Sequence, residues 1–384
     1  MKKDAPAMNK IEGGNPFGVL EFLHWNHSWN NYKYPDIATL KKSISLMKEA
    51  GVGWVRMDFL WQDIEPKMGE FDFKNYDKIV DLLNSNNIGI LGLLNYSSDW
   101  ASSCGKWNCP PVDNSLFVNY AVKVIEHYKG RVKFWELWNE PDSGIYWQPQ
   151  DGLKKYCALL KEVYIAAKKA NPECKILNGG FTNGISSVNK LYENGAKDYF
   201  DILNIHIFEM PLNEGAIKKV LAYPKIAYKI MKRNGDGNKK IWVTEIGCPG
   251  IPTFGSIGTI TKDIEAKDWL LSGNPGKDKR FKEAFDKVIK TENERAGRKI
   301  ITKNWWLGDN PDEQQQAKWV NDVFTSLIKE EAVEKVFWAF FRDCNEHWKN
   351  GTDYFGLVCW NFTPKPSFFV YKKCFEDWKK SQKK

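Results

Sequence analysis

Lys133-Phe134-Trp135-Glu136-Leu137-Trp138-Asn139-Glu140-Pro141 is a short apolar run, rich in strand formers, that ends in an acid and a proline. Pro141 cannot donate to a sheet ladder, so it closes the run. Alternation along a strand puts Glu136, Trp138 and Glu140 on one side, with Trp135, Leu137 and Asn139 on the other. An amphipathic stretch at 152–170 follows, with apolar residues at three- and four-residue spacing. The same pair of run and stretch recurs along the chain. The runs are 17–23, 54–61, 89–96, 133–138, 175–181, 202–208, 241–246 and 335–341. The helical stretches are 37–50, 75–85, 115–128, 152–170, 187–193, 217–232, 312–329 and 367–380. Strict alternation predicts parallel strands joined by helical crossovers, and eight such units predict a closed (β/α)8 TIM barrel. A doubly wound open sheet is the competing fold, but no Gly-x-Gly-x-x-Gly turn follows the first strand. No linker divides the chain, so one domain over 1–384 is expected. A long insertion at 249–310, with a helical pattern at 280–294 and the pair Trp305-Trp306, leaves the seventh strand on the active-site face. It reads as a lid or cleft wall, or else as a neutral surface insertion.

Composition narrows the function classes. At 42% hydrophobic and 27% charged residues, the chain is globular rather than disordered. The longest apolar runs, such as 88–94, fall far short of the roughly 18 residues of a membrane span, so no integral membrane segment is expected. The net charge is +8, but Lys is interleaved with acids except at the C-terminus, which opposes a nucleic-acid footprint. The 18 Trp suggest flat stacking surfaces for sugars, or a large aromatic core. Among the eight Cys, only Cys104 and Cys109 are close together. A disulfide there and free thiols are both compatible with that spacing; a zinc site lacks a second ligand pair. No apolar h-region follows the charged N-terminus, so the chain is cytoplasmic or has lost a signal. A monomer is expected.

Barrel chemistry sits at the C-terminal strand ends. There, Glu140 closes the fourth strand and Glu245 the seventh, in Ile241-Trp242-Val243-Thr244-Glu245-Ile246. Two carboxylates facing each other across a barrel mouth are the minimum apparatus for glycoside hydrolysis, one protonated and one ionised. Either acid can equally be a structural hydrogen-bond partner.

Trp138-Asn139-Glu140-Pro141 with Thr244-Glu245 resembles clan A, the 4/7 superfamily of retaining glycoside hydrolases, over most of the chain. Gly51-Val52-Gly53-Trp54-Val55-Arg56, Trp61-Gln62-Asp63-Ile64-Glu65-Pro66, Gly69-Glu70-Phe71-Asp72-Phe73 and Glu313-Gln314-Gln315-Gln316-Ala317 resemble family 39 and its relatives. The resemblance implies Glu140 as general acid/base and Glu245 as nucleophile. Asn139 would contact the sugar 2-hydroxyl, and Arg56 would hold the nucleophile ionised. His206 matches a strand-six His that many clan members pair with a Tyr two residues on; here that residue is Phe208. Trp338 matches the Trp under the sugar at the cleavage point.

Further candidates come from strand ends alone. Trp61, Tyr96, Trp100 and Trp147 could stack on sugar or pack in the core, as could Trp25. His24, Asn95, Glu209 and Asp343 could bind hydroxyls. The expected function is cleavage of a β-linked polysaccharide or oligosaccharide, endo-acting, with exo action as the alternative. No metal or cofactor is expected. A non-catalytic carbohydrate-binding barrel competes but would tolerate loss of either Glu, and both are present. A phosphate-handling barrel competes too, but Gly247 and Gly250 are too few for a phosphate loop.

Overall fold

A computed structural model describes residues 14–30, 32–250, 311–344 and 354–383. The insertion expected at 249–310, with its helix and tryptophan pair, lies outside the described residues from 251 onward. The eight parallel strands are β1 (Phe17–Leu20), β2 (Trp54–Leu60), β3 (Gly89–Asn95), β4 (Phe134–Leu137), β5 (Lys175–Asn178), β6 (Leu203–His206), β7 (Ile241–Ile246) and β8 (Val333–Ala339). The helices are α1 (Ile37–Ala50), α2 (Trp61–Ile64), α3 (Lys74–Ser85), α4 (Asn114–His127), α5 (Lys154–Ala170), α6 (Ile185–Glu193), α7 (Ala216–Arg233), α8 (Glu313–Leu327) and α9 (Pro366–Ser381). The sequence-based elements all recur within a few residues, and α2, a single turn after β2, is an addition.

β1 to β5 pair in sequence order, β6 pairs with β7 and β7 with β8, and β1 pairs with β8. The barrel closes at β5 and β6 through the bridges Leu177 to Ile202 and Phe181 to Ile205. Asn178 completes this seam: its amide donates to the Asn204 carbonyl at 2.9 Å, and its oxygen accepts from the Asn204 N–H at 2.9 Å. The barrel floor is aromatic. Trp54, Trp242 and Phe337 pack there with Leu91, Leu177 and Ile202. Trp54 and Trp242 meet at 5.5 Å. The floor has room for these rings because Gly18 faces Phe337; a Cβ on Gly18 would lie 2.5 Å from that ring.

Local signals set the helix ends. Asp36 caps α1 through the Thr39 N–H, and Gly51 ends it in the left-handed conformation. Asp312 and Gln315 form a capping box on α8. Phe17 stacks on Phe324 at 5.0 Å and meets Tyr371 edge-on at 5.5 Å, which seats α8 and α9 on β1. Among the described residues no helix is long and apolar enough to cross a membrane.

Candidate active site

Arg56 organises the mouth of the barrel. Its Nε and Nη2 donate to both oxygens of Glu136, at 2.6 and 2.9 Å. Nη1 donates to Glu245 Oε1 at 2.7 Å, and Nη2 also reaches Asn139 Oδ1 at 2.9 Å. Burial alone would lower the guanidinium pKa, but Glu136 and then Glu245 raise it, so Arg56 stays charged. Glu136 is fully buried and accepts the Gly180 N–H at 3.0 Å as well. With its oxygen bound to Arg56, Asn139 keeps its amide N–H groups for another acceptor.

Pleat alternation separates Asn139 from Glu136 and Glu140, and here the structure corrects the sequence. Trp138 and Glu140 have φ of 64° and 44°, in the left-handed region that non-glycine residues rarely occupy. The two left-handed residues break the pleat after Leu137. Asn139 therefore joins Glu136 on Arg56, while Trp138 packs into the core against Trp147 and Tyr96. A register irregularity between Val243 and Ile246 does the same on β7. It brings the neighbours Thr244 and Glu245 both to the site, a usual effect of bulges beside active sites.

His206 links the two acids. Its Nδ1 lies 2.9 Å from Glu140 Oε1 and 3.7 Å from Glu245 Oε2. Its Nε2 lies 3.0 Å from Thr244 Oγ1. The Thr244 hydroxyl gives its proton to Asn204 Oδ1 at 2.6 Å, so it accepts from His206 Nε2–H. Burial, with Arg56 nearby, lowers the His206 pKa well below its ordinary value and keeps the ring neutral. Its lone pair is then on Nδ1, and Glu140 meets it as a protonated carboxyl. Burial, then repulsion from Glu245 and Asp142, raises the Glu140 pKa well above the usual range, in agreement with that proton. The Glu245 carboxyl is pushed up to about 7 by burial, with Arg56 opposing. Gly180 makes the relay possible, since a Cβ there would lie 2.0 Å from His206 Nε2.

This relay predicts a pH signature. Both carboxyls have raised pKa values, so the productive state, Glu245 ionised and Glu140 protonated, belongs to neutral or alkaline solution. The kcat/KM profile is expected to rise through about pH 7 and to fall at higher pH as Glu140 loses its proton. Thr244→Val removes the acceptor for Nε2–H and frees the imidazole proton to move to Nδ1. There it stabilises the Glu140 anion, so the alkaline limb moves to lower pH. An alkaline limb unmoved in Thr244→Val, measured against wild type, would count against the relay.

An oxygen of Glu140, an oxygen of Glu245 and a His206 nitrogen lie within 4.8 Å of one another. These three are also a possible cation ligand set, although the Arg56 guanidinium already supplies positive charge there. Tyr146, in the loop after β4, is a neighbour the sequence reading missed. Its hydroxyl pKa is raised well above the ordinary value by burial and then by Glu140 and Glu245. It lies parallel to Tyr96 at 6.1 Å. No spacing rule marks a loop aromatic for this place.

The remaining candidates divide between core packing and the loops around the mouth. Trp61 and Trp147 are core residues, 0% and 1% exposed, and present no open face to a sugar. Trp61 stacks on Tyr120 and donates to Glu65 Oε2 at 2.7 Å. Trp100 is part-buried and donates to the Glu65 carbonyl. Asp343 is buried in an ion pair with Lys365 at 2.6 Å and accepts the Gly356 N–H. Glu209 is half-buried on its own loop, 3.5 Å from Lys219 and within reach of Asn213. Trp338 is fully buried and donates to the Phe355 carbonyl. Asn95 is buried and donates to Asp58. His24 is held by the Asp58 carbonyl at 3.2 Å and lines a side cavity of about 210 Å³ with Trp25, His27 and Asp63. Much of the Trp excess is thus core: Trp61, Trp135, Trp138, Trp147, Trp242 and Trp338 are among the largest fully buried side chains.

Comparison with known proteins agrees with the barrel fold. The glycosyl hydrolase family 10 model matches residues 55–187, and a β-galactosidase family model (glycosyl hydrolase 42) matches residues 10–93. Endo-1,4-beta-xylanase B of Thermotoga neapolitana is 24% identical over 216 residues, 53% of this chain and 59% of that protein. The chain spans under two thirds of the length of the first curated relatives it matches. A family 39 glycoside hydrolase from Bacteroides cellulosilyticus WH2 superposes with TM-score 0.63 at 18% identity, over 95% of this chain and 64% of that one. Xylanase 10B of Thermotoga petrophila RKU-1, solved with xylobiose, superposes with TM-score 0.60 at 16% identity, over 97% of both chains.

Proposed function

With a clan A (β/α)8 barrel of the glycoside hydrolases as the premise, we propose that this protein is a retaining, endo-acting hydrolase of β-linked xylan. The carrying observation is the acid pair: Glu140 on His206, Glu245 on Arg56, with oxygens within 4.8 Å. That spacing suits direct attack by a carboxylate, whereas an inverting enzyme keeps its acids roughly 6.5–9.5 Å apart to admit water. Glu140 donates its proton to the leaving oxygen as Glu245 attacks the anomeric carbon. The Asn139 amide hydrogen-bonds the 2-hydroxyl, a contact that tightens as positive charge develops on the ring. The Glu140 anion then faces the Nδ1 lone pair of His206. This repulsion makes it a stronger base, and it takes a proton from the water that releases the glycosyl group from Glu245.

Xylan is favoured by the family 10 match, which includes Asn139 and Glu140, and by the xylanases among the relatives. Endo action is favoured by the aromatic rings on two sides of the mouth, Tyr96 with Tyr146 and Phe22 with Trp29 and Phe340. The test is incubation of wild type with xylan, with products followed by size and by anomeric proton NMR. A ladder of xylo-oligosaccharides appearing first as the β-anomer is expected. Release of xylose alone would replace endo with exo action. Absence of xylan cleavage alongside cleavage of another β-glycan would overturn the substrate, and first appearance of the α-anomer would overturn the mechanism.

A further inference from the structure

We propose that Asp142 is the positioning residue of the general acid: it ties the turn that carries Glu140 to the start of α6 and so fixes where the Glu140 proton is presented. The inference rests on the glycosidase reading and adds to it a residue that acts through Glu140.

Glu140 needs to be held. At φ 44° its backbone lies in the left-handed region, where a non-glycine residue stays only if its surroundings fix it. Upstream, the Trp138 N–H donates to the Leu94 carbonyl at 3.0 Å, and the Trp138 indole N–H donates to the Tyr146 carbonyl at 2.8 Å. Downstream, the Ser143 N–H donates to the Glu140 carbonyl at 2.9 Å. That bond closes a four-residue turn with Pro141 at its second position, where proline's fixed φ suits it. A turn orders only its own residues. Its placing in the barrel falls to its third residue, Asp142.

Asp142 is 7% exposed, and its carboxylate reaches into the segment between β5 and α6. Oδ1 accepts the Thr182 N–H at 3.2 Å, while Oδ2 accepts the Asn183 N–H at 2.8 Å and the Ser187 hydroxyl at 2.7 Å. The Asn183 side-chain amide returns a bond to the Asp142 carbonyl. Three donors on one carboxylate fix its place and direction, and such charge-assisted bonds are among the strong ones. Gly184, at the cap position of α6, has no side chain to offer, so Asp142 supplies the negative charge that a helix N-terminus favours.

The same segment is pressed against the strand of the acid. A Cβ on Gly179 would lie 2.5 Å from the Trp138 carbonyl oxygen and 2.8 Å from Pro141 Cδ. The Gly180 N–H donates to Glu136. Residues 179–183 therefore grip the Glu140 turn on both sides, at Pro141 and at Asp142. A carboxyl that has to meet both His206 and a departing oxygen tolerates little drift, since a misplacement of about 1 Å can cost on the order of 10²-fold in rate. The competing role is a cap that stabilises α6 and nothing more. Only the positioning role acts selectively on proton donation.

The experiment compares wild type, Asp142→Ala, Asp142→Asn and Val188→Ala on two aryl β-xylobiosides. Dinitrophenolate departs without a proton, whereas the phenyl leaving group needs the proton of Glu140. The measured kcat/KM covers the steps up to the glycosyl-enzyme, so the later base role of Glu140 does not enter. In Asp142→Ala it is expected to fall about thirtyfold on phenyl β-xylobioside, part of the roughly 10²–10⁴-fold that a placed general acid supplies, and to change by less than about twofold on 2,4-dinitrophenyl β-xylobioside. Asp142→Asn keeps the shape and one acceptor oxygen, so the ratio of the two should fall by a smaller factor. Val188 is fully buried on α6, and Val188→Ala should lower the urea midpoint and leave the ratio at its wild-type value. A ratio unchanged in Asp142→Ala, whether both rates fall or neither does, overturns the proposal. So does an equal fall of the ratio in Val188→Ala. Should Asp142→Ala not fold, Asp142→Asn decides by the same ratio. Should wild type cleave neither substrate, the xylan reading fails by itself, and crystal structures of wild type and Asp142→Asn decide the proposal. A Glu140 carboxyl drawn out of hydrogen-bond reach of His206 Nδ1 in the variant supports it; an unmoved Glu140 overturns it.

Discussion

Glu245→Gln is expected to lower kcat/KM on xylan by roughly 10⁴-fold or more, about 5.5 kcal/mol of transition-state stabilisation. The amide cannot form the glycosyl bond, and no neighbouring acid can take over. Glu136 has both oxygens on Arg56, one of them shared with the Gly180 N–H. Glu140 is committed to the opposite role by its proton and its bond to His206. The fold should survive, because Gln keeps an oxygen for Arg56 Nη1. A smaller side chain makes the assignment sharper. Glu245→Ala opens space beside the anomeric carbon, and azide should restore turnover with a glycosyl azide of inverted configuration. Wild-type rates in Glu245→Gln, or a rescued product of retained configuration, would remove Glu245 from the mechanism.

Arg56→Leu is expected to cost both stability and activity. The guanidinium is 1% exposed and neutralises Glu136, which is 0% exposed. Removing one partner of a buried ion pair leaves an uncompensated charge and typically costs about 3–5 kcal/mol. The urea midpoint should fall accordingly. Lys is no remedy, since one ammonium cannot reproduce the forked contact with Glu136 while also reaching Glu245 and Asn139. The double variant Arg56→Leu/Glu136→Gln separates the two losses. It removes the stranded charge, so the midpoint should recover in large part, while kcat/KM stays low because Glu245 and Asn139 remain unheld. Parallel recovery of stability and activity would show that Arg56 acts on the fold alone.

Much of the architecture was legible in the chain. Eight apolar runs alternate with eight amphipathic stretches, and each run became a strand because only a strand buries so short an apolar segment between two layers. The caps Asp36, Gly51 and Asp312, which the sequence reading did not use, close helix ends by local hydrogen bonding that needs no distant partner. Glu140 and Glu245 stood out as acids at the ends of runs built for burial. Aromatic residues were far less legible. Trp61 and Trp147 are core while Tyr146 interacts with both acids, because a ring in a strand-end sequence can turn towards solvent or towards a covering helix. That choice depends on packing between elements distant in sequence.

What the sequence determined by itself is the set of parts: barrel class, strand order, the two acids, Asn139, Arg56 and His206. The barrel class and the two strand-end acids follow from period, spacing and residue type, which are local properties, while Asn139, Arg56 and His206 entered through the resemblance of their motifs to clan A. What only the tertiary structure decided is how the parts face one another. Left-handed backbone at Trp138 and Glu140 turned Asn139 onto Arg56, against the pleat rule. A register irregularity in β7 put Thr244 and Glu245 into one site. The chain Asn204–Thr244–His206–Glu140 then assigned the proton, joining residues from β4, β6 and β7. The reason is physical. Protonation states and hydrogen-bond directions depend on burial and on which groups touch, and those contacts exist only once the barrel has closed.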